Sequence, residues 1–116
     1  MSGDDASALG YIASGGDGCI SMISNVAPGL CRTISACCRR ENWQAARGLH
    51  MRLAPLEALL SREGPPALKA ALSGLGLMRP DLRLPLVGPE SAIAREVART
   101  VAAITEQDLA ASIACA

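Results

Sequence analysis

Most of the chain has the hydrophobic pattern of amphipathic helices, and residues 19–23 are the exception. These five residues are nearly all apolar on both faces, and two of them are β-branched isoleucines. A short run of this kind is typical of a strand buried on both faces, as in a parallel sheet covered by helices. Two glycines at 15–16 favour the end of a helix before the run, and Asn25 and Pro28 favour the start of one after it. The pattern therefore predicts helix, turn, buried strand and helix.

Helical spacing of apolar positions predicts five helices along the chain. Either Asp4 or Asp5 caps the first helix, which leaves the other aspartate without an assigned structural role. Asn42 is expected to cap the third helix, and Pro55 inside it to kink or divide it. Residues 61–64 are predicted as the connection to the fourth helix. The apolar positions of the five helices are, in chain order, Leu9 and Ile12; Cys31, Ile34 and Cys38; Trp43, Ala46, Leu49, Leu53, Leu56 and Leu60; Leu68, Leu72 and Leu75; and Ile93, Val97, Val101 and Ile104.

The proline-rich stretch 79–89 alternates leucine with arginine and proline, which predicts an extended arm and not a helix. After Thr105 the apolar pattern weakens, so the tail to Ala116 is expected to be frayed helix or disordered. These features divide the chain into an α/β part that ends near residue 41 and a second part, 42–116, of short helices joined by proline-rich loops.

Composition and charge favour some classes of protein over others. Half of the 116 residues are hydrophobic, yet there is no Phe, one Trp and one Tyr, so we expect a core of aliphatic side chains. Eleven basic and eleven acidic side chains give zero net charge, which does not indicate binding to nucleic acid or to an anionic membrane. No apolar run is long enough for a membrane span, and residues 1–5 do not resemble a signal peptide. These observations predict a cytoplasmic protein.

Few side chains have the spacing that catalysis or metal binding requires. The five cysteines, at positions 19, 31, 37, 38 and 115, are odd in number and contain no Cys-x-x-Cys spacing, and His50 is the only histidine. We therefore expect structural thiols, and neither a disulfide scaffold nor a metal site. Lys69 and Tyr11 are the only residues of their types, and both lie in predicted helices where structural roles are favoured. No cofactor is indicated, and the residues alone predict a mostly helical fragment without its own active site.

Several short motifs nevertheless occur together in a recognisable order. They are SGDDA (2–6), GGDGCIS (15–21), SNVAP (24–28), PPALKAAL (65–72), GL (76–77) and LRLPL (82–86). In order and spacing they resemble the dihydrodipicolinate synthase family, also called 4-hydroxy-tetrahydrodipicolinate synthase, over about residues 2–104. Gly64-Pro65 stands where that family commonly has Asn-Pro, a small departure. The SNVAP and LRLPL motifs favour this family over related pyruvate aldolases such as N-acetylneuraminate lyase.

The resemblance implies a TIM barrel of eight βα units followed by a helical domain. Residues 1–41 match the last units of such a barrel: the end of strand seven, helix seven, strand eight and helix eight. Residues 42–116 match the C-terminal helical domain, with the proline-rich arm at 79–89. The expected fold class is therefore α/β, with the fragment itself mostly α and containing one short buried strand.

The resemblance also implies an activity, the condensation of pyruvate with aspartate semialdehyde in the biosynthesis of diaminopimelate and lysine. The family is a class I aldolase-type lyase that holds pyruvate as a Schiff base on a lysine of strand six, while a tyrosine relays protons. Both residues, and the threonine that binds the pyruvate carboxylate, precede Met1 in the family pattern. Gly3 and Asp4 are expected in the pocket wall, and Ile20 at the position that contacts pyruvate. Lys69 matches a lysine of the helical domain, so we expect no catalytic residue in this chain and no activity of the chain alone.

Two other interpretations remain open. The chain is a non-catalytic remnant of a synthase gene, or it is a helical interaction module that pairs with a full-length enzyme or an N-terminal partner. For a complete enzyme the expected ligands are pyruvate and aspartate semialdehyde. The expected protein partner is a second copy in a homo-oligomer or a complementing N-terminal half.

The isolated chain is predicted to be poorly folded, oligomeric or completed by a partner. The reason is that strand eight without strand one exposes unpaired backbone groups along an apolar edge. Size-exclusion chromatography, thermal melting and binding of a hydrophobic dye test this expectation. A sharp monomer peak with cooperative melting and no exposed apolar surface would contradict it.

Overall fold

The computed structural model describes the backbone of residues 1–114 and the side chains of residues 1–106 and 108. Within this part the chain forms five α-helices and a short 3-10 turn at Ile23–Asn25. The predictions of a mostly helical chain and of helices at these five places are confirmed. The helices are α1 (Ala8–Ala13), α2 (Pro28–Arg39), α3 (Trp43–Glu63), α4 (Pro65–Gly74) and α5 (Ser91–Ala114).

The predicted buried strand at residues 19–23 is wrong for the described part of the chain. There, its sheet-like pairing is limited to one isolated parallel bridge between Ser2 and Cys19. Ile20 is 71% exposed, whereas Ile23 is 2% exposed and already belongs to the 3-10 turn. A strand becomes regular only when a neighbour pairs with it along its length, and here a single residue provides that pairing. The apolar run is therefore half open, and its last two residues, Met22 and Ile23, already belong to the turn toward α2.

A core of aliphatic side chains holds four of the helices together. Helix α2 packs against α3 and α5, and α4 packs against the same two helices. The largest fully buried side chains are Leu30, Leu56, Leu60 and Val97. The last three lie at predicted apolar positions, and their burial confirms those positions. Trp43, predicted at the start of the α3 stripe, is instead 39% exposed. Helices α2 and α3 lie on either side of the expected domain boundary at residue 41, and that division stays a prediction.

Helix α3 confirms one local prediction, excludes one of the two alternatives predicted for Pro55, and corrects a third prediction. Asn42 caps it, because Asn42 Oδ1 accepts a hydrogen bond from the Ala45 N–H at 3.2 Å. Pro55 does not divide the helix, which runs through all of its 21 residues. Proline removes a backbone hydrogen bond, and the burial of leucines on either side of it offsets that cost. The predicted connection at 61–64 is wrong as well, since Gly64 alone, at φ 69°, separates α3 from α4.

The residue predicted to start α2 has a different role. Pro28 is the first residue of the helix, as its fixed φ favours, but Asn25 does not cap it. The side-chain amide of Asn25 donates instead to the carbonyl oxygens of Ser21 and Met22. Asn25 therefore stabilises the 3-10 turn that precedes α2.

A carboxylate from the far end of the chain takes the place of a local cap. The Leu30 N–H donates to Asp108 Oδ1 at 2.6 Å, a contact between residues 78 positions apart. A negative charge is favourable at a helix N-terminus because the N–H groups there point toward it. The tail after Thr105 continues α5 to Ala114, and residues 115–116 lie outside the described part.

Residues 79–89 form no helix, as predicted, and most of them are exposed. Leu84 is 85% exposed. Lys69 holds the start of this arm, because its Nζ donates to the Asp81 carbonyl oxygen at 2.6 Å. No helix of the described part has the length and apolarity needed to cross a bilayer.

Replacing Leu56 with alanine is expected to lower the free energy of unfolding by about 3 kcal/mol, because the substitution leaves a cavity in the core. The matched control is Leu84→Ala on the exposed arm, which should change it by less than about 0.5 kcal/mol. Urea titration followed by circular dichroism measures both values. Equal shifts for the two variants would contradict the packing described here.

Candidate functional site

The three expected pocket residues meet where the N-terminal segment pairs with residues 18–20. The Ser2 N–H donates to the Gly18 carbonyl at 2.8 Å, and the Ile20 N–H donates to the Ser2 carbonyl at 2.8 Å. These two hydrogen bonds bring Gly3 and Asp4, which follow Ser2 directly, next to the backbone of Ile20. A Cβ added at Gly3 would meet no atom within 4 Å, so a ligand can approach its backbone.

Burial alternates along residues 19–23. Cys19 and Ser21 are half-buried and Ile23 is buried, whereas Ile20 is 71% exposed and Met22 is 37% exposed. Along residues 19–21 this period of two is the signature of extended backbone, in which successive side chains point to opposite faces. Met22 has helical dihedral angles (φ −75°, ψ −39°), and Ile23 begins the 3-10 turn. One face of the segment therefore packs on the helices, and the side chain of Ile20 lies on the other, open face.

Asp5 attaches the N-terminal segment to the far end of this run. Its Oδ2 accepts hydrogen bonds from the Met22 N–H at 3.0 Å and the Ile23 N–H at 3.2 Å. Its Oδ1 lies 4.0 Å from the Cys19 thiol, which donates to it. The only signal for this contact in the sequence is the pair of adjacent aspartates. Capping of the first helix was expected to use one of them, so the other had no assigned role.

Asp4 has a local role. Its Oδ2 accepts the Ser7 N–H at 2.9 Å, which closes the turn before α1. Ser7 is the N-cap residue of α1 and no side chain caps that helix, so the predicted aspartate cap is wrong. The side-chain and backbone hydrogen bonds from Ser7 hold the pKa of Asp4 below its ordinary value. Asp4 is exposed and ionised at neutral pH, which places a negative charge beside Gly3.

The thiols near the site are held in their neutral form. Burial raises the pKa of Cys31 to about 11, and the charge of Asp5 contributes in the same direction. Burial also raises the pKa of Cys19, followed by the charges of Asp5 and Asp4. The four cysteines of the described part are free, and no three metal-binding side chains cluster there. Cys115 lies outside the described residues. The environment of Cys19 and Cys31 suits structural thiols rather than nucleophiles.

A cavity of about 610 Å³ lies beneath residues 19–24, between α1, α2 and α3. Its inner wall is apolar, and the two thiols Cys19 and Cys31 belong to it. Charged and polar side chains, including Arg32 and His50, stand at its α2 and α3 sides. Ser21 and Ile23 line the cavity from the extended segment, so the helix-facing side of that segment is only partly covered.

Lys69 and Tyr11 are engaged elsewhere. The Lys69 ammonium group donates to the arm at Asp81, and the Tyr11 hydroxyl accepts from the N-terminal ammonium group of Met1 at 2.8 Å. Neither side chain makes a hydrogen bond to Gly3, Asp4 or Ile20 within the described residues. The structure therefore brings the three expected pocket residues together without a hydrogen bond from Lys69 or Tyr11 in the described part.

Known proteins resemble the chain over most of its length. The model of the dihydrodipicolinate synthetase family matches residues 1–104. The 4-hydroxy-tetrahydrodipicolinate synthase of Rhizobium meliloti is 50% identical over 88 residues, which make up 75% of this chain and 30% of the relative. The same enzyme of Hyphomonas neptunium is 44% identical over 93 residues, or 79% of this chain and 32% of the relative. The chain thus spans about 30% of the length of these curated relatives.

Solved structures give the same result for the fold. The dihydrodipicolinate synthase of Thermotoga maritima superposes with a TM-score of 0.87 at 33% identity, covering 90% of this chain and 36% of that one. The 4-hydroxy-tetrahydrodipicolinate synthase of Methylacidiphilum fumariolicum SolV also gives a TM-score of 0.87, at 30% identity, covering 96% of this chain and 37% of that one. The described helices therefore share the arrangement of the matching part of these enzymes.

The Cys31 thiol is expected to react with iodoacetamide at pH 8 about a hundredfold more slowly than an ordinary thiol. A pKa raised from 9.0 to about 11 lowers the thiolate fraction by about that factor, and the thiolate is the reactive form. Mass spectrometry of the modified peptides measures the rate, which should keep rising up to about pH 11. In 8 M urea the rate should return to that of an ordinary thiol, and equal rates with and without urea would contradict the burial of Cys31.

Proposed function

The chain belongs to the dihydrodipicolinate synthetase family, and we propose that it forms part of the substrate pocket of a lyase. The proposed reaction condenses pyruvate with aspartate semialdehyde in the biosynthesis of diaminopimelate and lysine, in the cytoplasm. The observation that carries the proposal is the pairing of Ser2 with Cys19, which brings Gly3 and Asp4 beside the open face of Ile20. In the TIM barrel that this family resemblance implies, active sites lie at the carboxyl ends of the strands, and both segments would end there.

Each of the three pocket residues has a role that its environment supports. Ile20 presents an exposed apolar side chain, which suits contact with the methyl group of pyruvate. Gly3 leaves room for a ligand to approach the backbone. The ionised carboxylate of Asp4 favours the ammonium group of aspartate semialdehyde and disfavours the carboxylate of pyruvate on the same side. Together they orient the two substrates in the wall of the pocket.

The amine for the Schiff base is proposed to come from the rest of the enzyme. Lys69 is the only lysine of the chain, and its ammonium group is bound to the carbonyl oxygen of Asp81 at the start of the arm. It is therefore removed from Ile20 and already occupied. The proton-relaying tyrosine is assigned to the rest of the enzyme in the same way, since Tyr11 binds the N-terminal ammonium group.

The open edge of residues 19–21 favours completion by further β structure. The Cys19 N–H, the Cys19 carbonyl and the Ser21 N–H make no hydrogen bond within the described residues. Such an edge pairs readily with another strand. We propose that a complementing N-terminal half, or a second copy in a homo-oligomer, supplies it. This observation favours a completed enzyme over a helical module that acts alone.

The test combines the chain with the part of the Rhizobium meliloti relative that precedes its matched stretch, supplied as a separate polypeptide. With both present, borohydride is expected to trap pyruvate on a lysine of the added polypeptide, and condensation with aspartate semialdehyde should appear. The chain alone should give neither result. Mass spectrometry locates the adduct, and a coupled assay measures the condensation.

The control variant is Lys69→Arg, which keeps the charge that binds the arm but cannot form a Schiff base. Its adduct and activity in the combined sample should equal those of the unsubstituted chain. A pyruvate adduct on Lys69, or activity lost in this variant, would contradict the assignment. No activity in the combined sample, with both polypeptides folded, would overturn the proposed function.

A further inference from the structure

We propose that Asp5 is a positioning residue that holds Ile20 in the pocket wall, an inference that rests on the proposed function. The side chain of Asp5 lines the cavity of about 610 Å³ on the helix-facing side of the segment, opposite the open face of Ile20. It acts through the backbone of the segment that carries Ile20, by accepting the N–H groups of Met22 and Ile23 on one carboxylate oxygen. The proposal assigns a role to the second aspartate of the SGDDA motif.

The two backbone N–H groups bound by Asp5 follow Ile20 in the chain, and the backbone bridge to Ser2 lies on the other side of Ile20. Ile20 itself is fixed through its N–H, which donates to the Ser2 carbonyl at 2.8 Å. Two residues further on, the Met22 N–H is bound to Asp5 at 3.0 Å. The stretch that contains Ile20 is thus attached at both ends to the same short segment, residues 2–5, and only Ser21 lies between the two attachments.

These attachments matter because packing does not locate Ile20. Its side chain is 71% exposed, so few neighbours restrict it. The next anchored side chain is Ile23, which is buried at 2% exposure, and its N–H is the second group bound by Asp5. The carboxylate therefore joins the open part of the segment to its buried end.

A carboxylate suits this position better than other acceptors. Two N–H groups converge on one oxygen, which has the two lone pairs they need, and an ionised acceptor forms hydrogen bonds about twice as strong as a neutral one. Asparagine at this position keeps an acceptor oxygen but loses the charge. Alanine leaves both N–H donors without a partner, and the Ile23 N–H belongs to a residue of the buried core.

The carboxylate of Asp4 has different partners from that of Asp5, and the comparison shows what Asp5 contributes. The Asp4 carboxylate binds Ser7, three residues along the same segment, so it organises that segment without joining it to another. Asp5 binds groups 17 and 18 residues away. Asp4 reaches the other segment through its backbone carbonyl, which accepts from the Cys19 thiol at 3.7 Å. Of the two adjacent carboxylates, only that of Asp5 binds the other segment within the described residues.

The first measurement is amide hydrogen exchange by NMR on the full 116-residue chain. In Asp5→Ala the Met22 and Ile23 amides should exchange at least tenfold faster than in the unsubstituted chain, with a smaller increase in Asp5→Asn. The Ala45 amide, which is bound to Asn42 in α3, should not change. Unchanged exchange at Met22 and Ile23 would overturn the proposal.

The second measurement is steady-state kinetics of the combined enzyme described under the proposed function. Asp5→Ala is expected to raise the KM for pyruvate about tenfold with a smaller change in kcat, because Ile20 is displaced from its contact with pyruvate. Asp5→Asn should restore part of the loss. A KM equal to that of the unsubstituted enzyme would overturn the proposal.

Two control variants separate positioning from stability and from charge. Asn42→Ala removes the cap of α3 and should lower the melting temperature without changing the KM for pyruvate. Asp17→Asn removes an exposed carboxylate that makes no hydrogen bond within the described residues, and it should change neither quantity. If Asn42→Ala raised KM as much as Asp5→Ala did, the role of Asp5 would be one of stability, and the proposal would fall.

The two proposals fail in different ways. An inactive combined enzyme containing the unsubstituted chain would overturn the proposed function, and with it the kinetic role of Asp5. Activity in that sample, together with an unchanged KM in Asp5→Ala, would overturn only the positioning role.

Discussion

The pairing of backbone groups in residues 18–22 is the constraint on which the candidate site depends. Extended backbone makes no internal hydrogen bonds, so its N–H and C=O groups need partners from another segment. Ser2 provides partners along one edge, and Asp5 provides one where the segment turns toward α2. The position of Ile20 thus follows from its attachment to residues 2–5, while the helical core fixes only the buried end of the segment at Ile23.

The helical part of the fold was predictable because its determinants are local. Asn42 caps α3 through a residue three positions away, and the spacing of apolar residues in α3 and α5 placed Leu56 and Val97 in the core. Pro55 shows the limit of a local rule. A proline inside a helix removes one backbone hydrogen bond. The leucines buried on both sides of Pro55 stabilise the long helix by more than that loss.

The contacts that the sequence did not reveal are those that join distant segments. Asp5 binds the N–H groups of Met22 and Ile23, which lie 17 and 18 positions further along the chain, and Asp108 binds the Leu30 N–H across 78 positions. No periodicity or cap signal reports such a pair, because each partner is an ordinary backbone group. The apolar pattern of residues 19–23 failed for a related reason. A run that is apolar on both faces indicates surroundings on both faces, and the described part of the chain covers only one.

Three features of that segment are consistent with one missing neighbour. The edge at Cys19 and Ser21 has no partner in the described residues, the helix-facing side opens on a cavity of about 610 Å³, and the face of Ile20 is exposed. A strand paired at the open edge would bind the free N–H and C=O groups directly. Because its side chains alternate between faces, the same strand would send some toward the cavity and others toward Ile20. A single added strand would therefore account for all three features, which supports the proposed complementing part of the enzyme over separate partners for each surface.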